Sequence, residues 1–337
     1  MQLVINTYGS SLKVKDGLIY IKAQENEFEV SPKKVQSIVI TTGVFFTSDV
    51  LKLALEHNID VVLLDEFGEP YGRFWHSRFG STAAIRRQQL ESAYTEQGLD
   101  FARKWVGSKV SNQIEFLKKL LHNRPGKDTY FADTLKNQQE FLNKIQSLDT
   151  HLSLEQVRGT LMGLEGTASR IYFEALGRLI PERWKFNGRS RQPAVDPFNC
   201  MLNYAYGVFY SVVERACILA GLDPYVGFLH TDNYGKVSLV YDLIEPFRIY
   251  ADTTVFYLFS GRQAKQEHFD AIPGGLSLNK EGKKVLMAAL NEFLDEKVRH
   301  KGRNIKRRDT IQSEAHWLAN QFLGEKDRDI DLEIKEV

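Results

Sequence analysis

The chain has 337 residues, of which 43% are hydrophobic and 26% charged, and its 44 Lys and Arg side chains nearly balance 43 Asp and Glu. This length allows two domains, each large enough to bury a core. No segment approaches the roughly 20 apolar residues that span a membrane, and the N-terminus lacks the pattern of a signal peptide. We therefore expect a cytoplasmic protein without a membrane partner.

The two cysteines, Cys200 and Cys217, lie in apolar helical patterns. We expect both to be reduced core residues, as is usual for a protein of the cytoplasm. The chain has no CxxC motif and no Cys/His cluster, which argues against a structural zinc site.

Charge is distributed unevenly along the chain. Residues 1–75 carry a net charge of −3, residues 76–324 carry +7, and the acidic tail 325–337 carries −3. A basic region between two acidic ones fits a localised surface for a polyanion. The same excess, spread over so long a segment, is also compatible with an ordinary surface.

Residues 1–78 predict a small β-rich domain. Asp16-Gly17 is a hairpin signal, and Thr47-Ser48-Asp49 offers caps for one helix over Val50–Glu56. The predicted strands are Leu3–Asn6, Leu12–Lys15, Leu18–Lys22, Val35–Thr41, Ile59–Leu64 and Tyr71–Trp75.

Residues 79–324 predict a larger, all-α domain, because apolar residues recur there at spacings of three and four. Asp196-Pro197 supplies an N-cap and a first-turn proline. The predicted helices are Ala83–Glu96, Asp100–Leu121, Asp128–Leu148, Leu152 to about Leu179, Asp196 to about Ala220, Ser238–Phe247, Leu278–His300 and Thr310–Phe322. The fold class is therefore α+β, with a β-rich domain followed by a helical one.

Three separated segments each carry a ligand for a hard metal ion. They contain Glu165, His230 and the pair Asp242 and Glu245. A carboxylate, an imidazole and a second carboxylate suit Mn²⁺ or Mg²⁺ with coordination positions left for substrate. Arginines flank both carboxylate segments, which indicates a phosphate substrate.

Each segment also has a plainer interpretation. Glu165 alone reads as a solvated acid paired with a nearby arginine, and His230 as a hydrogen-bonded core residue. Asp242 and Glu245 share one helix face and alone read as an exposed acidic surface.

Helix-disfavouring residues accompany two of these segments. Gly163 and Gly166 each cost a helix about 1 kcal/mol relative to alanine, which indicates the close approach of another helix or of a ligand. Pro246 removes a backbone donor directly after Glu245 and predicts a kink there.

Taken together, the segments resemble the Cas family-one of CRISPR-associated integrases. The resemblance rests on Glu165-Gly166 followed by Ser169-Arg170, on His230, and on the run Asp242–Arg248, with further similarity over 191–199 and 202–207. It covers residues 1 to about 322. It implies that Glu165, His230 and Glu245 are catalytic and bind the metal, with Asp242 as a supporting residue or weak ligand.

The resemblance also implies an activity and its partners. The activity would be that of a metal-dependent DNA endonuclease and integrase, using Mg²⁺ or Mn²⁺, that inserts prespacer DNA into a CRISPR array. The partners would be double-stranded DNA, a second copy of the chain joined through the β domain, and the small Cas family-two subunit. Two alternatives stay open: a stand-alone metal nuclease for branched DNA, and a non-catalytic DNA-binding scaffold.

Basic side chains are predicted to contact the DNA backbone. The candidates are Arg78, Arg86, Arg87, Arg170, Arg189, Arg191, Arg248, Arg303, Lys306 and Arg307. The last three belong to Lys297–Arg308, the densest basic run, which alternatively is a solvated helix end and loop. Trp184, Tyr204 and Tyr206 are candidates either for stacking on bases or for core packing.

Overall fold

The computed structural model describes residues 1–74, 82–122, 129–149, 151–190, 193–231 and 234–324. The N-terminal elements are β1 (Gln2–Ile5), β2 (Ser11–Lys15), β3 (Leu18–Ala23), β4 (Asn26–Val30), β5 (Ser37–Ile40), β6 (Phe45–Phe46), α1 (Ser48–Glu56), β7 (Asp60–Leu64) and β8 (Pro70–Phe74). The later helices are α2 (Thr82–Ser92), α3 (Glu96–His122), α4 (Thr129–Gln146), α5 (Leu154–Leu179), α6 (Pro197–Leu219), α7 (Ser238–Leu243), α8 (Arg248–Ser260), α9 (Lys280–Asp295) and α10 (Arg307–Phe322). Two hairpins lie among them, β9 (Phe269–Ile272) with β10 (Gly275–Leu278) and β11 (Lys297–His300) with β12 (Arg303–Lys306).

Two sheets build the N-terminal region. One has the order β1-β5-β7-β8, with the first three strands parallel, and the other has the order β4-β3-β2-β6. Strand β5 is buried on both faces, since Ile38 packs into the N-terminal core while Val39 packs against the helical domain. Strand β7 is buried on both faces in the same way, with Val61 in the N-terminal core and Val62 against the helical domain, which explains the apolar run Val61–Leu64. The predicted apolar segment Ile59–Leu64 also contains the charged Asp60.

The turn between β7 and β8 joins the two regions. Gly68 has φ +91° and its carbonyl lies so close to Gly207 of α6 that a methyl group at position 207 would overlap it. On β8, Arg73 donates to Asp60 at 2.6 Å and to Glu214 of α6 at 2.7 Å. Buried charges are tolerated only when they are paired, so the position of Arg73 between Asp60 and Glu214 ties the sheet to α6.

The predicted fold class is confirmed, a strand-rich N-terminal region followed by a helical one. Within the helical region the structure adds the two hairpins. The prediction of one helix over Leu278–His300 is wrong, because α9 ends at Asp295 and a strand follows. The sequence analysis also missed β4 and the apolar helix α8.

Helix starts position the two long helices near the site. Ser153 and Gln156 form a capping box that begins α5, and Asp196 accepts a hydrogen bond from the backbone N–H of Asn199 at 2.8 Å to begin α6. The kink predicted at Pro246 is confirmed, since a short 3₁₀ turn over Glu245–Phe247 separates α7 from α8.

Candidate metal and nucleic-acid site

An open pocket of about 840 Å³ contains the three predicted metal ligands in its walls. Glu165 comes from the middle of α5, His230 from the loop before α7, and Glu245 from the 3₁₀ turn after it. The fold thus brings together side chains that are far apart in sequence.

Asp242 holds the loop that carries His230. Its carboxylate is fully buried and accepts the backbone N–H groups of Phe228 (2.6 Å), Leu229 (3.0 Å) and His230 (3.0 Å). The same carboxylate lies 2.6 Å from Nδ1 of His230. This contact leaves Nε2 as the ring nitrogen for a metal or a substrate, which is the usual arrangement behind a ligating histidine. Asp242 therefore supports His230 rather than lining the pocket.

The charge on His230 responds to that contact. Burial lowers the pKa of His230, but the hydrogen bond and charge of Asp242 outweigh burial, and the net shift is upward. A ligating imidazole must be neutral, so a metal ion at Nε2 would compete with protonation of His230.

Glu245 is buried and kept ionised by its neighbours. Nε of Arg248 donates to Oε1 at 2.8 Å, and Nζ of Lys109 lies 2.6 Å from Oε2. Burial alone raises the pKa of Glu245, but the charges of Arg248 and Lys109 outweigh burial and lower the pKa to about 2. Oε2 is buried and faces the ammonium of Lys109, so a cationic group already neutralises it.

Lys109 of α3 was missed by the sequence analysis. Its ammonium contacts Oε1 of Glu165 as well as Glu245, and Ser169 donates to the same Glu165 oxygen at 2.8 Å. The signal that could have found it is its place on the apolar face of α3, between Val106 and Val110. A lysine at a core position needs an acidic partner.

The donor chemistry of the pocket fits Mg²⁺ or Mn²⁺. Two carboxylates and an imidazole are suitable ligands, and Oε2 of Glu245 already faces a cationic group, the ammonium of Lys109. As the side chains stand, no group of three or more His, Cys, Asp or Glu in the described ranges is close enough to hold an ion. Metal binding by Glu165, His230 and Glu245 stays a prediction.

The pocket also has contributors that the sequence did not reveal. Glu69 reaches its wall from the β7–β8 turn, and burial together with the charge of Asp65 raises the pKa of Glu69 to about 7. Tyr206 also lines the pocket, and its hydroxyl donates to the buried Asp252 at 2.5 Å. The N-terminal region therefore forms part of the pocket.

The arginines nearest the pocket are parts of its wall. The guanidinium of Arg189 donates to Asn199 and Asn203, and Arg248 is held by Glu245 and the hydroxyl of Tyr210. Both line the pocket, and the hydrogen bonds named here use two of the five N–H donors of each guanidinium. These bonds fix the two arginines in the pocket wall, and their contact with a DNA backbone stays a prediction.

The other predicted DNA contacts differ in exposure. Arg170 is exposed and pairs with Glu174 at 2.7 Å. On α2, Arg87 is exposed and Arg86 is half-buried. Arg78 and Arg191 lie outside the described residues.

The basic run Lys297–Arg308 forms the β11–β12 hairpin and the start of α10. Lys301 (φ 46°) and Gly302 (φ 83°) make its two-residue turn, as a tight hairpin requires. The run is partly neutralised, because Lys306 pairs with Asp295 and Arg307 with Glu296. The interpretation of this run as a helix end and loop is therefore wrong.

Three further expectations concern packing. A Cβ atom added at Gly163 or Gly166 would meet no neighbouring atom within 4 Å, so no second helix of the described ranges approaches there. The aromatic candidates Trp184, Tyr204 and Tyr206 are 4%, 2% and 6% exposed, which assigns them to core packing rather than to base stacking. Cys200 and Cys217 are buried free thiols, as expected.

Comparison with known proteins identifies the family. The family model described as CRISPR associated protein Cas1 matches residues 3–292. The chain belongs to the Cas1 family. It is 35% identical to CRISPR-associated endonuclease Cas1 1 of Archaeoglobus fulgidus over 97% of both chains.

Solved structures agree on the fold. A casposase bound to integration product superposes with a TM-score of 0.83 at 24% identity, over 100% of this chain and 95% of that one. A CAS1 protein from Thermotoga maritima gives a TM-score of 0.79 at 24% identity, over 97% and 98% of the two chains. In the part of this Cas1-family chain that the structure describes, no helix is long and apolar enough to span a bilayer.

Proposed function

We propose that this chain is a metal-dependent DNA endonuclease and integrase that inserts prespacer DNA into a CRISPR array. The observation that carries the proposal is the pocket in which Glu165, His230 and Glu245 meet, with Asp242 orienting the imidazole. Membership of the Cas1 family and the 35% identical relative, which is named an endonuclease, support it.

The reaction is a phosphodiester exchange. Mg²⁺ or Mn²⁺ held by Glu165, His230 and Glu245 would polarise the scissile phosphate and help to activate the attacking 3′-hydroxyl. The incoming hydroxyl would lose its proton to solvent as its oxygen bonds to phosphorus. The bond from phosphorus to the target strand's 3′-oxygen would break, and that oxygen would take up a proton and leave as a new 3′-hydroxyl. Arg248 keeps Glu245 ionised throughout, and Asp242 keeps Nε2 of His230 free.

The assembly follows from the N-terminal region. Tyr8 is 83% exposed and Phe45 is 72% exposed, and the backbone hydrogen bonds Gly9 to Gly43 and Phe45 to Ser10 hold their segments side by side. We name Tyr8 and Phe45 the Tyr8–Phe45 patch. Exposed aromatic side chains on adjoining segments are candidates for an interaction site. We assign the patch to a homodimer, and a small Cas2 subunit and double-stranded DNA complete the complex.

Incubation with prespacer DNA and a supercoiled target plasmid tests the proposal. We expect strand transfer into the plasmid with Mn²⁺ and the Cas2 subunit, and none with EDTA. Metal-dependent nicking without joining, whether or not the Cas2 subunit is present, would favour a stand-alone nuclease. DNA binding without nicking would leave only a scaffold role.

A further inference from the structure

Lys109 is buried in the interior of the helical domain. It lies on the face of α3 that packs Trp105, Val106 and Val110 into the core, and its side chain is only 9% exposed. An ammonium group at such a position loses its hydration and persists only with an acidic partner.

That partner is a pair of predicted metal ligands. The ammonium lies 2.6 Å from Oε2 of Glu245 and also contacts Oε1 of Glu165. The remaining oxygen of Glu245 is held by Arg248 at 2.8 Å. The ammonium thus occupies the space between two carboxylates that an ion shared by them needs.

A divalent ion and this ammonium compete for the same oxygens. Both are cations, and two positive charges within about 4 Å repel strongly in a partly buried site. Lysine suits a temporary occupant, because its charge is compact and its four-carbon stem is flexible.

We propose that Lys109 is a positioning residue that substitutes for the metal ion. Before the ion binds, it holds Glu165 and Glu245 together and neutralises them. When the ion binds, the ammonium leaves the carboxylate pair, and its displacement lowers the affinity for the ion. This inference rests on the metal site put forward under the proposed function.

Titration of the full chain with Mn²⁺ alone, by calorimetry, tests the inference. Lys109→Met keeps most of the side-chain length without the charge, and we expect it to bind Mn²⁺ about ten-fold more tightly than wild type, since one like charge is removed. Lys109→Arg keeps the charge and is the matched control, with affinity no tighter than wild type. In EDTA, Lys109→Met should melt below wild type, and Mn²⁺ should raise its Tm more than that of wild type.

The outcomes separate the two ideas. If His230→Ala binds Mn²⁺ as wild type does, the metal site itself is wrong. If Mn²⁺ binding needs His230 but Lys109→Met binds no more tightly than wild type, Lys109 does not compete with the ion. A crystal structure of wild type with Mn²⁺ decides the matter even if Lys109→Met fails to fold. It supports the inference if Nζ has left Glu245, and overturns it if Nζ remains within hydrogen-bond distance of Oε2.

Discussion

Asp242 shows how one buried carboxylate organises the site. It accepts three backbone N–H groups of the loop 228–230 as well as the ring of His230. An amide at this position could not replace the carboxylate. It has only one acceptor oxygen, and its NH₂ group would face protein N–H groups that also donate.

Asp242→Asn should therefore destabilise the fold and misplace His230. We expect a loss on the order of 3 kcal/mol in the free energy of unfolding, as for a broken buried charge pair, and a drop in Mn²⁺ affinity of about ten-fold or more. Urea unfolding and Mn²⁺ titration measure the two effects. Wild-type stability in this variant would show that the loop does not depend on Asp242.

The ionised carboxylate of Glu245 makes the stability of the fold depend on pH. Its pKa is about 2 in the folded chain against an ordinary value of 4.5. A carboxyl whose pKa is lowered by folding stabilises the fold when the pH is above its pKa in the unfolded chain. This stabilisation is lost as the pH falls from the unfolded pKa to the folded one. In EDTA at pH 6, the free energy of unfolding of wild type should exceed that of Glu245→Gln by on the order of 3 kcal/mol.

This difference between wild type and Glu245→Gln should narrow as the pH falls from 4.5 toward 2. Unfolding midpoints in urea at several pH values measure it. Glu174→Gln, which changes an exposed acid on α5, is the control and should show little difference from wild type at any pH. A constant gap for Glu245→Gln would mean that its carboxyl is not held ionised.

At the scale of elements, the basic side chains on and next to the β11–β12 hairpin fall into two groups, one exposed and one paired within the protein. On β11, the exposed Lys297 and Arg299 alternate with the half-buried Val298, so their side chains lie together on the exposed face of the strand. Arg307 is instead anchored by Glu296 and by the carbonyl of Phe293 at 3.0 Å. The exposed pair is thus better placed to meet a DNA backbone than Arg307 is.

Lys297→Ala combined with Arg299→Ala should weaken DNA binding equally for all sequences. Removing one phosphate contact should flatten the slope of log affinity against log salt by about 0.9. Fluorescence anisotropy across a salt series measures the slope, and Arg307→Ala should leave it unchanged while lowering stability. An unaltered slope for the double variant would assign the hairpin to a protein partner or to solvent.

For the whole molecule, the Tyr8–Phe45 patch should control the oligomeric state. Tyr8→Glu with Phe45→Glu places charges on the proposed contact between two copies and should convert a dimer to a monomer in sedimentation equilibrium. Tyr94→Glu, at a tyrosine 82% exposed in the helical domain, is the control and should remain a dimer. A dimer in the double variant would place the interface elsewhere.

Local signals and the family resemblance predicted much of this architecture. The cap at Asp196 acts through neighbouring residues, so the start of α6 was predictable from the sequence. The end of the helix predicted over Leu278–His300 was not predictable in this way, because the pairing of β11 with β12 overrides the helical pattern after Asp295. Lys109 was missed because a lysine in an amphipathic helix reads as solvated until its acidic partners, 56 and 136 residues away, are placed beside it.

The central claim is that Glu165 and His230 serve the chemical step rather than DNA binding. The most direct test is strand transfer with Mn²⁺ and the Cas2 subunit by Glu165→Ala and His230→Ala, with DNA affinity measured in parallel. Glu174→Ala, on the same helix but outside the pocket, is the control. We expect both site variants to lose strand transfer while binding DNA nearly as wild type, because basic side chains supply most of the affinity. Near wild-type strand transfer by Glu165→Ala would contradict the claim.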